Sequence, residues 1–124
     1  MGKGEQIVST IIAEQNAFLS DVAKLIIFVQ EEKWLISAGE LWRPPEMQQI
    51  YFNQGKSKTL KNIHGDRFAI DFNFFEQADS LITLTYDKKK LQPFGDYWES
   101  LYPKNRWGGN WKSIVDTPHF ERKV

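Results

Sequence analysis

The chain has 124 residues, no cysteine, and sixteen basic residues balanced by sixteen acidic ones. That length favours one domain with a core of its own, the missing cysteines exclude disulfides and thiolate metal sites, and the balanced charge argues against a general nucleic-acid binder. Nine Phe, five Trp and four Tyr supply apolar bulk for the core.

In chain order, residues 5 to 33 read as helical, with Ile7, Ile11 and Ile12 at helical spacing. Ser20-Asp21 offers a cap before Val22, Leu25, Ile26 and Val29, which share one face. Ser37 to Trp42 reads as a strand, stopped by Pro44-Pro45; Pro45 suits the first turn of a helix through about Asn53, closed by Gln54-Gly55. Residues 55 to 66 are polar and read as a loop. Phe68 to Phe72 alternates as a strand, with Phe68, Ile70 and Phe72 on one face and Ala69 and Asp71 on the other. Leu81 to Tyr86 reads as a strand or a helix, with its β-branched residues favouring strand. Residues 91 to 102 suit a helix carrying Tyr97, Trp98 and Leu101. Arg106 to Trp111 is a turn between aromatics, and Asp116 to Glu121 ends the pattern. Helices and short strands without a βαβ rhythm predict an α+β fold, a single domain over residues 1–124.

No stretch matches the roughly 20 apolar residues of a membrane span; Val22 to Val29 is interrupted by Lys24. The start, Met1-Gly2-Lys3-Gly4-Glu5, lacks the basic-then-apolar layout of a secretory signal. The expectation is a protein that is cytoplasmic as synthesised and needs release to act elsewhere. Lys56, Lys58 and Lys61, and Lys88, Lys89 and Lys90, read as solvated turns or as attraction to an anionic polymer.

The chain has two histidines. His64 precedes the strand that carries Asp71, and its ring can fold back towards that carboxylate; the small Ala69 leaves space beside it. His119 follows Asp116 by three residues. In a straight strand the two would face opposite sides, but Pro118 argues for an edge or bend that brings them to one site. Two imidazoles and a carboxylate make a three-ligand zinc site, and a second carboxylate beside it can move protons. Each frame alone also reads as an ordinary loop histidine with a surface or turn aspartate.

The frames His64…Ala69…Asp71, Trp107-Gly108-Gly109-Asn110-Trp111 and Asp116-Thr117-Pro118-His119-Phe120-Glu121 together resemble the zinc peptidases that cut peptidoglycan peptides. The resemblance runs from about Phe18 to Glu121. It is strongest to the L-alanyl-D-glutamate endopeptidases of bacteriophage endolysins, in a group that includes D-alanyl-D-alanine carboxypeptidases and dipeptidases. Glu40 to Gln48 resembles the family's upstream segment. Two positions depart from the pattern: Asn62 where serine is usual and Arg67 where glycine is usual.

The resemblance implies a Hedgehog/DD-peptidase-like fold, a small antiparallel sheet flanked by helices. It implies one zinc ion per chain held by His64, Asp71 and His119, with Asp116 as general base. Arg43 would bind or orient a substrate carboxylate or carbonyl, a role that suits a planar guanidinium; a salt bridge to Glu40 is the structural alternative. The implied partners are peptidoglycan stem peptides, with no nucleic acid and no integral membrane segment, and the chain is expected to be monomeric. The implied activity is endopeptidase cleavage; a D-Ala-D-Ala carboxypeptidase or dipeptidase, or a non-catalytic zinc-stabilised domain, are the alternatives. Trp107 and Trp111 read as core or pocket walls. Glu121 reads as a supporting or structural carboxylate rather than a ligand.

Overall fold

A computed structural model describes residues 3–39 and 68–123, with side chains from Thr10 onwards. His64, Arg43, Asn62, Arg67, the expected 45–53 helix and the 55–66 loop lie outside the described residues.

Helix α1 spans Lys3–Glu31. It covers nearly all of the stretch read as helical, and Ser20-Asp21, read as a cap, lies inside it. Asp21 stays inside the helix because it has a tertiary partner: its carboxylate meets the Arg122 guanidinium in the core. Phe18, Val22, Leu25 and Val29, spaced four, three and four apart, form the buried stripe. The helix closes with Lys33 in the left-handed region (φ 68°). Trp34 N–H donates to Val29 O at 3.2 Å and Lys33 N–H to Gln30 O at 3.0 Å. This double closure is usually built on glycine. It delivers the chain directly into strand β1, Leu35–Ala38, two residues before the expected start.

Strand β2, Ala69–Ala78, extends well past the expected end at Phe72. Its alternation continues, with Ile70, Phe72 and Phe74 buried. Asp79 and Ser80 both adopt positive φ (49° and 71°), the two-residue turn that matches strand twist, and return the chain as β3, Leu81–Thr85. Helix α2, Lys88–Leu101, starts a turn earlier than expected. Asp87 caps it by accepting from Lys89 N–H at 2.9 Å, so Lys88, Lys89 and Lys90 form its first turn rather than a loop. Strand β4, Asn105–Trp107, leads into a single 3₁₀ turn, Gly108–Asn110, and β5, His119–Arg122, ends the sheet.

Among the described residues the strand pairings are antiparallel, in the order β1-β2-β5-β4, with β3 also pairing with β2. Both helices pack on the face that buries Ile70, Phe72, Phe74 and Phe120. Phe94 of α2 stacks on Phe74 with ring centroids 5.4 Å apart, and Trp98 meets Phe120 edge-on at 6.0 Å. The architecture is α+β: among the described residues, two helices lie on a small antiparallel sheet. None of the described helices is long and apolar enough to cross a membrane.

Candidate functional site

Register assembles the site. β2 and β5 pair Asp71 with His119 and Ala69 with Glu121. Because strand residues alternate, these four share the sheet face opposite the helices. Asp71 Oδ1 lies 3.2 Å from His119 Nδ1, and Glu121 Oε1 lies 2.7 Å from Nε2. Ala69, directly opposite Glu121, leaves that cross-strand position to the longer side chain. The small residue was expected to make room beside Asp71; in the fold it stands across from Glu121, fully buried.

Segment 108–118 brings Asp116 to the same place. Asp116 N–H donates to Gly108 O at 3.0 Å, and His119 N–H donates to Asp116 O at 3.2 Å. The latter bond closes a turn through Thr117 and Pro118, so residues three apart converge instead of facing opposite sides. Gly108 permits this approach: a Cβ there would lie 2.3 Å from Asp116 O and 3.1 Å from the Cβ atoms of both Asp116 and His119. The two side chains therefore set out from neighbouring points on one glycine. The sequence reading missed this role. Its signal was the glycine pair between two tryptophans, which marks close backbone approach as well as a turn.

The tryptophans brace this segment. Trp107 is fully buried, and its indole N–H donates to Thr117 O at 2.8 Å. Trp98, equally buried, donates to Glu121 O at 3.0 Å. Trp111 is half-buried, with its ring centroid 5.0 Å from that of His119. Thr117 Oγ1 donates to Tyr86 O at 3.0 Å and ties the turn to the end of β3. Trp107 is thus core and Trp111 a wall of the site.

Burial disfavours charge on the His119 ring, but hydrogen bonds to Asp71 and Glu121, with the charges of both, outweigh it and push the pKa up to about 9. An ordinary imidazole titrates near 6.5. The folded state therefore holds the proton more tightly than the unfolded chain. In the metal-free protein that stabilisation is fully present below pH 6.5 and is lost as pH rises through about 9. Its size is about 3 kcal/mol at most. The midpoint of chemical denaturation, followed from pH 6 to pH 10, should fall accordingly in the wild type and much less in His119→Asn. Parallel curves for the two proteins would refute it.

Nitrogen and carboxylate oxygen donors suit zinc. Asp71 and His119 already face each other, and an ion there would replace the proton between them. Among the described residues no group of three or more potential ligands converges; the expected third ligand, His64, is outside them. The donors present fit a zinc ion as two of its ligands.

Residues 55–122, more than half of the chain, match the family described as D-alanyl-D-alanine carboxypeptidase. Among solved structures, the fold is similar to that of a Serratia marcescens L-Ala D-Glu endopeptidase, ChiX. The TM-score is 0.66 at 20% sequence identity, covering 84% of this chain and 79% of that one. No curated protein matches the chain. The structural likeness carries the fold and the family match carries the kinship: the chain belongs to the D-alanyl-D-alanine carboxypeptidase family of peptidases.

Proposed function

We propose that the protein is a zinc-dependent peptidase of peptidoglycan stem peptides, acting as an endopeptidase at the L-alanyl–D-glutamate bond. The observation that carries this reading is the cross-strand pair Asp71–His119, with Asp116 turned to the same site, in a chain of this peptidase family. Asp71, His119 and His64 would hold the ion, which when bound supplies Lewis acidity and lowers the pKa of water at the site.

The chain's own residues do the rest. Asp116 is half-buried on a turn whose backbone is anchored to Gly108, and its carboxylate is the proton carrier rather than a ligand. It takes a proton from the attacking water and returns it to the departing amine. Arg43 orients a carboxylate or carbonyl of the substrate. Trp111 shields one side of His119 from water.

The family's description favours a second reading, a carboxypeptidase that removes a terminal D-alanine. Digestion of purified peptidoglycan followed by mass analysis separates the two. New N-terminal D-glutamate marks the endopeptidase, and free D-alanine marks the carboxypeptidase. Stoichiometric zinc with no cleavage of any wall preparation or muropeptide would overturn both.

A further inference from the structure

We infer that Glu121 is a positioning residue that holds His119 in the tautomer protonated at Nε2, leaving Nδ1 as the nitrogen that binds metal. This rests on the proposed metal site and adds to it which nitrogen is used and what selects it.

The geometry on the two sides of the ring differs. Glu121 Oε1 approaches Nε2 at 2.7 Å from a side chain only 6% exposed, whereas Asp71 Oδ1 approaches Nδ1 at 3.2 Å from a side chain 31% exposed. A metal that must accept a substrate needs the open side. The Glu121 side is closed, and a buried carboxylate is costly unless a hydrogen bond satisfies it. Its cross-strand neighbour on β4, Arg106, does not take that role: its Nη1 donates to the carbonyls of Pro103 and Asn105 at 2.7 and 2.8 Å. The Glu121 carboxylate faces the histidine ring instead.

Its position is held from the backbone. Trp98 donates to Glu121 O at 3.0 Å, and the next residue, Arg122, is anchored in the core to Asp21. His119 and Glu121 lie two apart on one strand, so the strand period places both on one face. An acceptor at Nε2 selects the N–H there, and a carboxylate acceptor also raises the basicity of the opposite nitrogen.

The test uses the full chain with zinc alone as probe. Zinc affinity is measured by chelator competition for wild type, Glu121→Gln and Glu121→Ala, and the His119 ring nitrogens are read by long-range proton–nitrogen spectra of the zinc-loaded protein. Wild type should show Nε2 protonated and Nδ1 metal-bound. Glu121→Gln keeps an acceptor oxygen and should retain most of the affinity. Glu121→Ala should lose about 10- to 100-fold and populate both tautomers. Should Glu121→Ala fail to fold, the wild-type spectrum and Glu121→Gln still decide. Zinc on Nε2, or wild-type affinity in Glu121→Ala, overturns the role of Glu121 and leaves the metal site standing. A wild type that holds no zinc overturns the metal site and the inference together.

Discussion

Asp116→Asn is expected to lower kcat/KM for wall-peptide cleavage by about 100- to 10,000-fold, the usual contribution of a positioned general acid–base group. Asparagine matches aspartate in shape, and the backbone does the anchoring here, through Asp116 N–H to Gly108 O and His119 N–H to Asp116 O. The substitution should therefore leave the turn, the melting temperature and the zinc content unchanged while removing the proton carrier. Muropeptide release measured beside zinc content and thermal melting checks all three. Cleavage at the wild-type rate would show that the proton moves through another group.

Arg122→Ala should give the largest loss of stability, about 3–5 kcal/mol, because it leaves a buried carboxylate without its partner. Arg122 is 3% exposed and Asp21 6%. The guanidinium also accepts help from its surroundings: Nε donates to Asn105 Oδ1 at 3.2 Å, and the charge sits 4.1 Å from the Tyr102 ring centroid. Asn105, fully buried, in turn donates to Asp21 Oδ2 at 3.1 Å and to Trp98 O at 3.0 Å. One network thus joins α1, α2, β4 and β5, immediately beside the strand that carries His119 and Glu121. Denaturant titration would measure the loss. Replacing both partners with apolar residues, Asp21→Leu with Arg122→Met, should recover most of it, since paired removal leaves no buried charge. A loss below about 1 kcal/mol in Arg122→Ala would mean that water reaches Asp21.

Much of the fold was legible because its periodicity is local. The helical recurrence of Val22, Leu25, Ile26 and Val29 marks the buried face of α1, which Phe18 extends in the fold, and the alternation around Phe68, Ile70 and Phe72 marks β2. The errors share one cause. Ser20-Asp21 has the chemistry of a cap, yet Asp21 belongs to an ion pair with a residue 101 positions away. The start of α2 depended on Asp87, whose capping bond the polar lysines after it concealed. The full length of β2 depended on Asp79-Ser80, which makes a tight turn without the glycine that usually announces one.

For the site, the sequence by itself determined the inventory: a histidine and two aspartates at Asp71, Asp116 and His119, a proline between the last two, a glutamate after them, and glycines between tryptophans. Tertiary structure decided which of these meet. Asp71 and His119 are 48 residues apart, and only the β2–β5 register makes them opposite neighbours. Only the approach of Gly108 to Asp116 turns a three-residue spacing into convergence. Which nitrogen of His119 faces Asp71 is also a tertiary outcome: Nδ1 lies 3.2 Å from Asp71 Oδ1 and Nε2 lies 2.7 Å from Glu121 Oε1. Side-chain chemistry is written residue by residue, whereas distance between side chains is set by strand pairing and packing across the whole chain.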